Sequence, residues 1–255
     1  MAKKEKLDYD FLKEQVDGSG FEDMNQDTMA IPFIRVVQAL SPQKKKSKAE
    51  YIPNCEDGDI INTITKRIYE QPLRFIVGKF ERYYIEWKPN RGGFVQALSP
   101  EIVETNTDRY QMVPNNKGGM KLADVVSGND VVETYVYYIV LPDYPEDSVC
   151  IMSLYSSQLK EAKKLNRIMN TTFIPGTGDK AAPFFLVFTL TTVEMSKDDH
   201  DWMGVRFDFE SLVTREQLDY VVGERKQLPN KRVDLAQIDD QAGKQQSANP
   251  EDNPY

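Results

Sequence analysis

Apolar and polar positions alternate most clearly between Phe75 and Trp87, where rings and branched side chains recur with the two-residue period of a β-strand. Pro89-Asn90-Arg91-Gly92-Gly93 breaks the strand as a turn, and Phe94-Val95 starts a new one. Alternation puts Tyr83, Ile85 and Trp87 on one face and Phe80, Arg82, Tyr84 and Lys88 on the other. The first set suits a core. The second interleaves rings with cations, an arrangement that can stack bases and neutralise phosphates, although Tyr and Arg also fit any half-exposed strand.

The same pattern organises the rest of the chain. Ala30–Leu40 reads as a first buried segment, with Pro32 keeping its start out of a helix interior or a central strand. A lysine-rich loop follows (Lys44, Lys45, Lys46 and Lys48), then a strand from Ile60 to Thr65. Residues 97–130 form a long polar excursion with its tip at Asn115–Gly119, and Val131–Leu141 with Val149–Leu154 reads as a hairpin. A helix from a Ser156 or Ser157 cap to Met169 turns Leu159, Ala162, Leu165 and Met169 inward. Its opposite side carries Lys160, Lys163, Lys164 and Arg167, where mutual repulsion is relieved by an anion such as phosphate, or simply by solvent. Phe184–Leu190 and Trp202–Phe209 form a second hairpin, and Thr214-Arg215-Glu216-Gln217 is a capping box opening a last helix to Lys226. No internal repeat of fixed period is present. The expected organisation is a polar leader over residues 1–20, one β-rich α+β domain over 21–230 with two or more peripheral helices, and a disordered acidic tail over 231–255.

Composition narrows the chemistry. The hydrophobic fraction of 40% over 255 residues fits a real core with polar ends. There is no apolar run of membrane-spanning length and no apolar signal core after Met1, so a cytoplasmic protein without a membrane partner is expected. Cys55 and Cys150 lie far apart and form no paired motif. The net charge of −8 counts against bulk attraction to duplex DNA. Four acids and one lysine from Asp239 onward account for −3 of it, leaving −5 on the remainder.

Enzyme motifs are sparse, and no catalytic residue, metal site or cofactor is assigned. His200, the one histidine, sits in Lys-Asp-Asp-His-Asp on a hairpin turn, where adjacent side chains rarely converge on an ion. Gly176-Thr177-Gly178-Asp179-Lys180 lacks the hydroxyl that follows the lysine of a phosphate-binding loop, and Pro183 argues against a helix behind it. Scattered carboxylates leave a metal-dependent nuclease as an alternative.

The chain ends Glu251-Asp252-Asn253-Pro254-Tyr255, a Pro-aromatic anchor at the end of an acidic stretch that starts at Asp239-Asp240. This end resembles the tail of single-stranded DNA-binding proteins, although its acids are sparser and Asn253 separates them from the anchor. A wider resemblance is carried by Gly20–Asp23, Ile31-Pro32-Phe33, Gln38–Pro42, Gly58–Thr63, Tyr84–Pro89 and Gly92-Gly93-Phe94. Over roughly residues 20–225 the chain is similar to a tailed-phage family found among replication genes and often called single-stranded DNA-binding. The resemblance implies an elaborated OB-like antiparallel barrel that binds single-stranded DNA without sequence preference, in replication or recombination, in the host cytoplasm.

On that reading Lys79, Arg82, Lys88 and Arg91 contact phosphates, Tyr84 and Phe94 stack bases, and Trp87 is a second-choice stacker. Lys160, Lys163, Lys164 and Arg167 extend the track. The tail residues Asp239, Asp240, Glu251, Asp252, Pro254 and Tyr255 recruit phage or host replication proteins, and formation of a homo-oligomer is left open. A further alternative is a phage interaction factor that binds a host or virion protein and no DNA, which accounts better for the net acidity.

Overall fold

The computed structural model describes residues 30–115, 118–197, 200–226 and 228. The chain divides into Met1–Ala30 and Ile31–Tyr255, and the architecture below belongs to the second unit. The leader and the acidic tail, with Asp239, Asp240, Glu251, Asp252, Pro254 and Tyr255, lie outside the described residues.

In chain order the strands and helices are β1 (Ile34–Val36), β2 (Ile60–Asn62), β3 (Ile68–Tyr69), β4 (Leu73–Trp87), β5 (Phe94–Leu98), α1 (Pro100–Thr105), β6 (Tyr110–Pro114), β7 (Met120–Asp124), β8 (Asn129–Val140), β9 (Val149–Tyr155), α2 (Leu159–Thr171), β10 (Leu186–Lys197), β11 (His200–Leu212) and α3 (Arg215–Lys226). Strands β1–β3 make a small sheet; the large sheet runs β11-β10-β4-β8-β7-β6, with β5 also paired to β4 and β9 to β8. The named strands pair antiparallel throughout. The fold is therefore β-rich α+β.

The large sheet does not close on itself, so of the OB-like antiparallel barrel expected from sequence the structure shows the β-rich antiparallel character. Strand β10 pairs with β4 at Leu73–Ile76, whereas β7 joins β8 at Asp130, which faces Trp87 on β4. The outer hairpins thus sit at opposite ends of the central pair, about 35 Å apart at about 3.3 Å per residue. Strand β9 flanks β8 over Thr134–Val140, at the same end as β10, and no pairing among the named strands joins β9 to β10 or β11.

A bulge sets the faces of β4. The register with β8 shifts between Val77 and Lys79, so Leu73, Phe75 and Val77 share a face with Phe80, Arg82 and Tyr84. On that side Phe75, Val77, Tyr137, Met152 and Leu154 pack with Phe188, Phe207 and the buried face of α2 (Ala162, Leu165 and Met169). On the opposite side Ile76, Tyr83, Ile85, Trp87, Val136 and Tyr138 pack with Phe33 and Val221 of α3. The two longer helices cover opposite faces of the sheet.

Helix α3 opens on the expected capping box, with Gln217 N–H donating to Thr214 Oγ1 (3.2 Å) and Thr214 N–H to Gln217 Oε1 (2.9 Å). Helix α2 starts differently. Ser156–Gln158 form a 3-10 turn, and Gln158 stands at the N-cap without a side-chain cap bond, so the expected serine cap is corrected. The polar excursion is not irregular either: it contains α1 and the β6–β7 hairpin.

Two glutamines tie the small sheet to the β10–β11 hairpin. Gln38 donates to Met203 O and accepts from Met203 N–H, each at 2.9 Å, and Gln71 Oε1 accepts from Thr192 N–H at 2.8 Å. Gln38 lies in Val-Gln-Ala-Leu-Ser-Pro at positions 37–42, and the identical hexapeptide recurs at 95–100. The first copy is a turn with Leu40 58% exposed; the second contains the end of β5 with Leu98 5% exposed.

Candidate functional site

The rings and cations expected to line β4 are mostly covered. Tyr84 is 9% exposed and packs with Leu98, Val103, Tyr110 and Val131. Its hydroxyl accepts from Arg82 Nη2 at 2.6 Å, and the guanidinium lies 5.1 Å from its ring centroid. Trp87 is 4% exposed, and half-buried Phe94 meets it edge-on at 5.7 Å. Stacking by Tyr84 or Trp87 on a strand face open to bases is corrected: Leu98 at the end of β5 and Val103 and Tyr110 of the excursion fold onto Tyr84, while Trp87 lies in the core on the opposite face with half-buried Phe94 packed against it.

Arg82 is similarly engaged. Nε donates to Glu133 and Nη1 to Glu104, both at 2.7 Å. Burial favours its neutral form, but the two carboxylates outweigh that and raise its pKa. Lys79 lies on the other face, 3.0 Å from Glu81 and over the Tyr138 ring at 5.2 Å. Lys88 is exposed and Arg91 stands in the Pro89–Arg91 turn, both at the far end of β4, about 25 Å from Phe80 at about 3.3 Å per residue.

What does come together is a flank of α2 and the middle of β4. Phe80, directly opposite Tyr137 on β8, is 38% exposed, with its ring 5.0 Å from Tyr137 and 5.3 Å from Tyr135. Tyr137 O–H reaches across to α2, donating to Asn166 Oδ1 (2.8 Å), and lies 3.2 Å from Ala162 O. At about 100° per residue, Lys163 projects nearest to Asn166 on α2, about 60° round, and Arg167, Lys160 and Lys164 project progressively farther round. All four cations are exposed. Lys163 Nζ lies 4.0 Å from Glu133, which joins the helix to Arg82, and Lys164 lies 3.4 Å from Glu161.

The structure thus links Arg82 and Lys163 through Glu133 and packs Phe80 on the tyrosine that Asn166 of α2 holds, with Lys160, Lys164 and Arg167 exposed on the same helix. It does not bring Lys79, Trp87, Lys88, Arg91 or Phe94 to that place. Phe80 was missed as a candidate ring, although the alternation that grouped it with Arg82 was the available signal.

Other chemistry is limited. The thiols of Cys55 and Cys150 are buried, and burial pushes their pKa values up to about 11 and about 12, which disfavours the nucleophilic thiolate. Among the described residues no three His, Cys, Asp or Glu side chains gather as metal donors; Asp198 and Asp199 lie outside that set. A cleft of about 130 Å³ between β1 and β9 is lined by Arg35, Gln38, Ser153, Tyr155 and Gln158 among others, and is smaller than a typical small-molecule pocket. Among the described residues no helix is long and apolar enough to cross a membrane.

No curated protein and no solved structure matches the chain. A family model described as Pam3 phage gp34-like protein matches residues 2–227, which is most of its length, and the chain therefore belongs to the Pam3 phage gp34-like family.

Proposed function

We propose that this phage-family protein binds single-stranded DNA without sequence preference, in replication or recombination in the host cytoplasm, along the flank of α2 beside Phe80. The observation that carries the reading is an exposed ring packed on a tyrosine that α2 holds, with that helix carrying four exposed cations. Phe80 offers 38% of its surface beside a helix whose Lys160, Lys163, Lys164 and Arg167 all face solvent. A flat ring accepts any base, and lysine and arginine neutralise phosphates irrespective of sequence, so the combination favours single strands. The resemblance of residues 20–225 to tailed-phage single-stranded DNA-binding proteins supports the same reading. The reading needs neither a closed OB barrel nor a catalytic group. The acidic tail, from Asp239 to Tyr255, then recruits replication proteins.

The test is an anisotropy titration of a labelled oligothymidine at low and high salt, with duplex as control and magnesium or manganese added in parallel. Binding to the single strand that weakens steeply with salt supports the reading. Absence of binding at low salt refutes it, and shortening of the oligonucleotide with metal would mark a nuclease. Trp87, buried about 23 Å along β4 from Phe80 at about 3.3 Å per residue, is a poor quenching reporter for this site.

A second reading, an interaction factor for a host or virion protein, is favoured by the β6–β7 region. There Met112 (57%), Met120 (55%) and Val126 (78%) are exposed together with the net charge of −8 on the chain. It predicts no DNA affinity at any salt concentration.

A further inference from the structure

Beyond the C-terminus of α2 the chain makes a small hairpin through the Gly176–Lys180 turn. Phe173 and Lys180 face each other as an antiparallel bridge, secured by Ile174 N–H to Asp179 O (2.8 Å) and Ala181 N–H to Thr172 O (2.9 Å). Alternation turns Ile174 and Ala181 toward the core, where both pack against the main cluster. Phe173 and Lys180 are therefore turned outward, side by side; Phe173 is 53% exposed and Lys180 is also exposed. Gly176 and Gly178, at φ of 78° and 79°, make the tight turn that brings the two together.

The hairpin is aligned with the flank already described. Lys180 Nζ donates to Asn170 Oδ1 at 3.2 Å. Asn170 follows Asn166 by one helical turn on the same side of α2, and Asn166 holds the tyrosine on which Phe80 packs. Of the four exposed cations of α2, Arg167 alone lies between Asn166 and Phe173 along the helix axis, and Lys163 precedes Asn166 by one turn. Along the helix axis the seven residues from Asn166 to Phe173 span about 10 Å, about three stacked nucleotides at about 3.4 Å each.

We propose that Phe173 and Lys180 form a second nucleotide subsite, the ring stacking a base and the ammonium holding a phosphate, so that one strand runs along α2 from Phe80 to Phe173. This rests on the single-stranded DNA reading of the Phe80 flank. It gives the bound strand a defined length and path.

The experiment uses the full chain and oligothymidines of about two to about twelve nucleotides, comparing wild type, Phe173→Ala, Lys180→Ala and Phe80→Leu. Oligonucleotides carrying 5-iodouracil are photo-crosslinked in parallel, and the attached peptides are mapped by mass spectrometry. For lengths above about four nucleotides, Phe173→Ala is expected to weaken binding by about 5- to 150-fold, while the shortest oligonucleotides bind both proteins equally. Crosslinks are expected at Phe80 and at Phe173. Both hairpin side chains point outward, so their substitution leaves the melting temperature near that of wild type. If only Phe80→Leu weakens binding and no crosslink maps to Phe173, the second subsite is refuted and the first stands. If wild type binds no oligonucleotide, both are refuted.

Discussion

Replacing Phe80 by leucine separates stacking from packing. Leucine retains an apolar side chain against Tyr135 and Tyr137 but has no π-face. The wild-type ring makes two aromatic contacts, at 5.3 and 5.0 Å, each worth about 0.5–1.5 kcal/mol beyond area burial. Because 38% of Phe80 already faces solvent, the lower end of that range applies to each contact, and a total cost of about 1 kcal/mol is expected. For a domain of this size that corresponds to a fall in melting temperature of about 2–4 °C. Loss of one stacked base costs about 1–3 kcal/mol of binding, or about 5- to 150-fold in Kd. The assay is oligothymidine anisotropy at fixed salt, with a thermal melt on the same samples. Tyr84→Phe is the comparison: it removes the hydroxyl that Arg82 contacts but leaves a buried ring in place. Phe80→Leu with wild-type affinity, or Tyr84→Phe with the larger loss, would refute the assignment of stacking to Phe80.

Three further outcomes are expected. Glu133→Gln removes the carboxylate that holds Arg82 and neighbours Lys163, so it should tighten oligothymidine binding about 1.4- to 5-fold and steepen the salt dependence; weaker binding would count against a phosphate track there. Glu86, 1% exposed, accepts from Gln96 Nε2 and Asn129 Nδ2 at 2.6 Å and from Ser127 Oγ at 3.3 Å. Glu86→Ala should cost about 3 kcal/mol in urea unfolding by orphaning those donors, and Glu86→Gln distinctly less because one acceptor oxygen and the volume remain; equal costs would refute this by showing that the retained oxygen and volume contribute nothing. Acid should destabilise the fold through two carboxylates. Burial alone would raise the pKa of Glu81, but bonds from Lys79, Tyr83 and Tyr138 bring it below its ordinary 4.5. Arg109, aided by Ser127 and the backbone N–H groups of Val126 and Ser127, holds Asp124 well below its ordinary 3.8 despite burial. With both folded values depressed, their stabilisation is complete above the ordinary values and is lost as pH falls through the folded ones. The urea midpoint should therefore hold between about pH 7 and about pH 5 and drop toward pH 3; a flat profile would remove these groups from the account.

Much of the element content was legible from local pattern. Alternation is written into β4, β8, β10 and β11, the spacing of Ala162, Leu165 and Met169 marks the inner face of α2, and the Thr214–Gln217 box marks the start of α3. Such features depend on neighbours in sequence, where side-chain direction follows from backbone period alone. Which face of β4 meets solvent was not legible. Alternation correctly grouped Phe80, Arg82 and Tyr84, yet one ring is 38% exposed and the other 9%, because the excursion after β5 folds over Tyr84 and leaves Phe80 beside α2. The bulge at Gly78, which joins odd and even positions of β4 into one face, follows from pairing with β8. The hexapeptide Val-Gln-Ala-Leu-Ser-Pro makes the division plain. At 95–100 its leucine ends a strand and is buried by Tyr84, Val103 and Tyr110; at 37–42 the same leucine stands in a turn and faces water. Local sequence sets the direction in which a side chain points, but burial requires a remote segment to arrive on that side, and only tertiary packing decides whether one does.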